Sequence, residues 1–131
     1  RRSGQEFEIT ESSDEEMGVP EDMKYACIMN NNSASASELF AGCLRDWNKA
    51  ELVGETSFGK GVGTITQYLE DGSAIQITNF YYNLPSGTNV DGEGLTPDYE
   101  VELPEDIRNM IISRIDSEED TQLQKAIEIL E

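Results

Sequence analysis

The 131-residue sequence has no histidine and only two cysteines. The first absence excludes Ser-His-Asp and Cys-His catalysis within the chain and most zinc sites. Two thiols make neither a disulfide framework nor a metal cluster. Cys27 in "YACIM" and Cys43 in "LFAGCL" sit in apolar settings and read as buried free thiols. Also missing are a signal peptide, a long transmembrane run and a starting Met. The opening "RRSGQEFEIT" reads as a piece of something longer. Bases are scarce: nine Lys and Arg against 27 Asp and Glu leave a net charge of −18. Such a chain repels nucleic acid and anionic membrane surfaces, and its acidity serves solubility. The charge is −6 over residues 1–22, −2 over 23–90 and −10 over 91–131. A site in the nearly balanced middle is therefore defined by local chemistry, not by the global field.

What is present suits one small domain or part of a larger one. "QEFEIT" (Gln5–Thr10) alternates as an edge strand does, and Glu11–Asp22 is an acidic connection with a turn at Gly18–Pro20. "KYACIMN" (Lys24–Asn30) is a short apolar run, the pattern of a strand buried on both faces. From Ala36 to Trp47 a helical period places Leu39, Phe40, Cys43, Leu44 and Trp47 on one face. Ser33 or Ser35 caps that helix, and Glu38 completes a capping box with Ser35. "AELVG" follows as a strand, so the interval is a βαβ unit with parallel strands. Val62–Tyr82, with Asp71-Gly72 at its middle, is a hairpin. Leu84–Asp98 is a long connection rich in Gly, Pro and Asn. A helix is expected from near Pro104, and a last one after Asp120 with Leu123, Ile127 and Leu130 on its apolar stripe.

"GETSFGKG" (Gly54–Gly61) nearly spells a phosphate-binding loop. Two features exclude it. Gly61 stands where a Mg²⁺-ligating hydroxyl is required, and "VGTITQYLE" reads as a strand where the loop must open a helix. Lys60 needs another explanation.

A serine-rich strand-to-helix turn, "NNNSASAS", offers one. There a hydroxyl is exposed beside backbone N–H groups at the positive end of a helix, a setting that suits attack and oxyanion stabilisation. The same serines also serve as plain caps. With no histidine, the base for such a serine would be a lysine of destabilised charge. Of the bases in the middle, Arg45 cannot deprotonate and Lys49 suits the helix C-terminus. Lys60 follows the second parallel strand as the serines follow the first, and loops at the carboxyl ends of neighbouring parallel strands meet.

The run "NNNSASASELFAGCLRDWNKAELVGETSFGKG", the hairpin with "DGSAIQIT", and "YYNLPSG" with "DGEGLTPD" closely resemble the carboxyl-terminal processing, or tail-specific, proteases from about Lys24 to Val101. The closing "DTQLQKAIEIL" resembles that family's terminal helix. The resemblance implies a nucleophile at Ser35 and a base at Lys60, 25 positions on. It gives Asp46 the place of an acidic residue that often follows the nucleophile's helix; a solvated or capping carboxylate is the other reading. Thr64 stands where many members carry a Gln that orients the lysine amine, and a hydroxyl is a shorter acceptor. The Ala36 N–H is one oxyanion donor, and the second comes from chain outside this sequence.

The fold implied is α/β: a partial crotonase/Clp-protease-like core with a βαβ unit, a β-hairpin and C-terminal helices. Its divisions are an acidic connecting segment over 1–22, a fragment of protease catalytic core over 23–103 and C-terminal helices over 104–131. The function implied is a serine endopeptidase with a Ser-Lys dyad, cutting protein substrates near accessible C-terminal tails, outside the cytoplasm, without cofactor or metal. The parent would carry the rest of the core and a PDZ domain. The alternative is a non-catalytic module of the same fold that binds peptide or another ligand.

Overall fold

The computed structural model describes Pro20 and residues 22–131. The expected edge strand at Gln5–Thr10 and most of the acidic connection lie outside the described residues. In chain order come β1 (Tyr25–Met29), α1 (Ala36–Asp46), β2 (Ala50–Gly54), β3 (Val62–Tyr68), β4 (Ala74–Tyr81), β5 (Tyr99–Glu100), a 3₁₀ turn (Ile112–Arg114) and α2 (Thr121–Leu130).

The βαβ unit is present. β1 and β2 run parallel, from Tyr25 opposite Ala50 to Met29 opposite Gly54. β5 adds to the far side of β2, also parallel, with Val53 opposite Tyr99. β2 is therefore central, and Leu52 and Val53 are fully buried. The burial on both faces expected of β1 belongs instead to β2. β1 is an edge of the described sheet, and Ile28 on it is exposed. Gly54 ends β2 at φ +121°, where a Cβ would lie 2.1 Å from the Met29 carbonyl oxygen. Only glycine lets the two parallel strands end this close together.

The core gathers Met29, Ala41, Leu52, Leu84, Val90 and Leu95. Three of these come from the Gly/Pro-rich segment after the hairpin, so that connection is as much core as loop. α1 buries Glu38, Ala41, Gly42 and Leu44, whereas Phe40 and Trp47 of the expected apolar face are exposed. The helix is rotated because its small residues face inward: a Cβ on Gly42 would lie 2.6 Å from Leu84 Cδ2. β3 and β4 form the expected hairpin, with a register shift between Gly63 and Thr64. Its Asp71-Gly72 turn is closed by a Leu69 N–H to Ser73 carbonyl bond of 2.8 Å.

Two expectations at the C-terminal end are corrected. No α-helix starts near Pro104. Isolated turns occupy that region, such as Ile107 N–H to the Pro104 carbonyl, and only Ile112–Arg114 winds into a single 3₁₀ turn. A helix this short is unstable unless it packs an apolar face, and Met110, Ile111 and Ile112 are all exposed. α2 forms where expected, and Asp120 accepts from the Leu123 N–H at 2.9 Å. Its buried positions are Gln122 and Ala126, while Ile127 and Leu130 are exposed. Polar bonds set that rotation: the Gln122 amide donates to the Val101 carbonyl at 2.9 Å and the Thr121 hydroxyl to the Glu102 carbonyl at 2.7 Å.

Candidate active site

The site forms where the chain leaves the carboxyl ends of β1 and β2. Residues 30–35 connect β1 to α1, and Ser35 is the N-cap of α1. Of the two serines considered for that place, Ser33 instead closes the preceding turn, its hydroxyl accepting from the Asn30 N–H at 3.1 Å. Ser35 has φ 60° and ψ −116°. A residue with a Cβ in this glycine-favoured region is held there by its surroundings at a cost of about 1–3 kcal/mol. Its carbonyl accepts from Leu39 in the first turn of α1. The Ala36 N–H, first of the helix, has no hydrogen-bond partner among the described residues and remains available.

Residues 55–61 leave β2 and pass directly beside this turn. The Phe58 N–H donates to the Ser33 carbonyl at 2.9 Å. The principal link is the carboxylate of Glu38, which is only 1% exposed. One of its oxygens, Oε2, accepts from the Ser35 N–H at 2.7 Å and from the Lys60 N–H at 2.8 Å. The other, Oε1, accepts from the Ser57 hydroxyl at 2.5 Å and from the Gly59 N–H at 2.7 Å. Burial pushes the Glu38 carboxyl up, but the donors on Ser57, Lys60, Gly59 and Ser35 outweigh it and hold the group below its ordinary value.

Further contacts fix the lysine loop from its other side. The Ser57 hydroxyl accepts from the Leu95 N–H at 2.7 Å. Gly59 has φ +88°, and a Cβ there would lie 2.8 Å from the Gly94 nitrogen, so the two loops touch backbone to backbone. The Tyr82 hydroxyl lies against the carbonyls of both Ser35, at 3.1 Å, and Lys60. Burial and the nearby Glu38 charge push the Tyr82 phenol up, so it keeps the proton with which it donates.

The backbones of Ser35 and Lys60 are thus brought to one carboxylate oxygen. Their side chains are not hydrogen-bonded to each other, and Lys60 is exposed. Asp46, at the end of α1, accepts from the Ser86 N–H at 2.9 Å and has Arg45 beside it. It anchors the 84–88 turn, and its bonds go there and to Arg45 rather than to the Ser35 turn. Burial raises its carboxyl, and the Ser86 bonds and Arg45 more than offset this, leaving it below its ordinary value. Thr64 lies on the exposed β3, where its hydroxyl accepts from the Gln76 amide at 3.2 Å. The strand at Val62 follows Lys60 directly, so the loop opens no helix and the exclusion of a phosphate-binding loop stands. Beside the Ser35 turn is a cleft of about 250 Å³, walled by Cys27, Ile28, Met29, Phe40 and Ala41 with Ser33, Ser37, Glu38 and Ser57 at its polar side. Burial raises the Cys27 thiol, which stays protonated at neutral pH.

The model of peptidase family S41 matches residues 1–101. The chain belongs to peptidase family S41. Among its S41 relatives, a probable CtpA-like serine protease of Staphylococcus saprophyticus is 38% identical over 101 residues, covering 77% of this chain and 21% of the relative. One of Staphylococcus aureus is 37% identical over the same length, covering 77% and 20%. The chain therefore spans about a fifth of the length of these S41 relatives. Among solved structures, a photosystem II D1 C-terminal processing protease is 34% identical with a TM-score of 0.58, over 62% of this chain and 22% of that one. The tricorn protease, 22% identical, has a similar fold, with a TM-score of 0.62 over 82% of this chain and 10% of its own. The carboxyl-terminal processing resemblance and the α/β core are thus both established for this S41 chain.

Two outcomes follow from the site. Ser35→Gly relieves the left-handed backbone while costing only a few tenths of a kcal/mol as a cap, so it should stabilise the chain by about 1 kcal/mol in urea unfolding. A Ser35→Gly variant less stable than Ser35→Ala would show that no strain is stored there. The second concerns acid. Because the Glu38 carboxyl is depressed on folding, its contribution is complete above its unfolded value of about 4.3 and is lost as pH falls through the folded value. Glu38→Gln should therefore be less stable than the parent at pH 7, with the gap narrowing below about pH 4. A gap independent of pH would contradict this.

Proposed function

We propose that this chain is the part of a serine endopeptidase that carries its nucleophile and its base, with Ser35 attacking the scissile carbonyl and Lys60 acting as base. The observation that carries the reading is the convergence of the Ser35 and Lys60 amides on one Glu38 oxygen, which puts a strained serine turn and a lysine loop side by side. Lys60 takes the hydroxyl proton as the Ser35 Oγ bonds to the carbonyl carbon, then returns it to the leaving amine as the acyl-enzyme forms. Water repeats the sequence to release the acid. The Ala36 N–H faces the developing oxyanion as one donor. Closing the side chains requires only that Lys60 swing from solvent toward Ser35, as catalytic hydrogen bonds often tighten when substrate binds. Thr64 stands four residues beyond the base, where many relatives of this type would carry the orienting amide, and its hydroxyl accepts from the Gln76 amide. Asp46 supports the site from a distance, by holding the 84–88 turn on which Leu84 and the neighbouring core depend.

The substrates are proteins with accessible C-terminal tails, as the names of the related processing proteases suggest. The parent carries the remaining core and a peptide-binding PDZ domain, and works outside the cytoplasm. Among the described residues no helix is long and apolar enough to cross a membrane. A second reading, a non-catalytic module that binds peptide or another ligand, draws on the solvent-exposed Lys60.

The test uses the full-length parent and a globular reporter with an unstructured C-terminal tail. Ser35→Ala and Lys60→Ala should each abolish tail cleavage, and the double variant should be little worse than either. Thr64→Gln should match or exceed the parent. Parental cleavage by a folded Ser35→Ala variant would end the case for this dyad, and an inactive parent that still binds the tail would favour the binding module.

A further inference from the structure

Glu38 does more than a helix cap requires. In a capping box the acid at the third helical position needs to reach back only to the N-cap N–H, and it does so on the helix surface. Here that bond is one of four. The other three donors, the Ser57 hydroxyl and the Gly59 and Lys60 N–H groups, lie 19 to 22 residues further along the chain. The carboxylate is buried, and both of its oxygens are doubly satisfied. A buried carboxylate held by fewer donors would be strongly unfavourable, so the turn and the loop each depend on the other being in place.

We propose that Glu38 is the positioning residue of this site: by accepting from the Ser35 and Lys60 N–H groups on one oxygen, it sets the separation and orientation of nucleophile turn and lysine loop. The inference rests on the Ser-Lys reading above. The path is short and rigid on both sides. Ser35 is the N-cap on one arm, and on the other the Gly59 backbone is wedged against Gly94, with no Cβ to hold them apart. The Tyr82 hydroxyl lies within hydrogen-bond reach of both the Ser35 and the Lys60 carbonyls, but its single proton serves one of them at a time. The simultaneous tie between the two backbones is therefore the one at their N–H groups. Only the Glu38 tie involves a charge, and only it also reaches Ser57 and through Ser57 the 84–98 segment.

The informative variant is Glu38→Asp in the full-length parent. It keeps the charge in the first turn of α1, where an acid is favoured, but withdraws the carboxylate by one methylene, so it cannot span turn and loop together. A misplacement of about 1 Å in a reacting pair costs on the order of 100-fold in rate. Steady-state cleavage of fluorescein-labelled casein should therefore show kcat at least about tenfold lower with KM within about twofold, because the substitution keeps the carboxylate and leaves the apolar wall of the neighbouring cleft unchanged. A folded Glu38→Asp enzyme with parental kcat, or with the whole loss in KM, would overturn the proposal. Should Glu38→Asp not fold, Ser57→Ala removes one donor to Glu38 and the side-chain bond from the Leu95 N–H, while the Ser57 N–H stays on the Leu95 carbonyl. It should lower kcat several-fold at constant KM, and a parental kcat overturns the proposal equally. Ser35→Ala in the same assay separates the two levels. If it is dead while the Glu38 and Ser57 variants are normal, the dyad stands and only the positioning role falls. If it cleaves normally, the dyad reading falls and this inference with it.

Discussion

The fold around the site depends on one buried carboxylate. Removing Glu38 from water is unfavourable by several kcal/mol, and what offsets it is a set of charge-assisted hydrogen bonds of about 1.5–3 kcal/mol each. Those donors belong to two segments that meet only when β1, α1 and β2 are assembled in parallel register. The carboxylate therefore makes local structure conditional on tertiary structure. The turn that strains Ser35 and the loop that presents Lys60 each contribute donors to the same carboxylate.

The rest of the core serves that junction. Gly54 lets β2 end against the Met29 carbonyl, so both strands deliver their following loops to one place. Gly59 and Gly94 allow the lysine loop to lie on the 84–98 segment, which in turn buries Leu84, Val90 and Leu95 beneath it. Ser57 joins the layers, donating to Glu38 and accepting from Leu95. A chain spanning about a fifth of its S41 relatives thus contains the packing that supports both the Ser35 turn and the Lys60 loop.

Much of this was legible in the sequence because local chemistry and global fold agree there. The β-branched runs around Asp71-Gly72 could form little but a hairpin, and Asp120 and Ser35 cap helices for reasons contained within four residues. Glu38 was legible only as half of a capping box. Its other donors are backbone amides and a serine more than 18 residues away, and backbone amides leave no mark in a sequence. The helix faces were misread for a related reason. Phe40 and Trp47 are the most apolar choice for α1, but Gly42 against Leu84 and the buried Glu38 fix its rotation. In α2 the polar Gln122 is buried because Val101 offers it a carbonyl. The expected helix after Pro104 had a proline suited to a first turn, yet lacked a surface to pack on, which no local signal reveals.

The central claim is that Ser35 and Lys60 act as one unit across this junction. The most direct measurement is a crystal structure of the full-length parent inactivated with a peptide aldehyde or boronic acid. The account predicts a tetrahedral adduct on Ser35 Oγ, with Lys60 Nζ drawn in to about 3 Å of that oxygen and the Glu38 bonds intact. An adduct on another residue, or one on Ser35 with Lys60 still turned out to solvent, would contradict it.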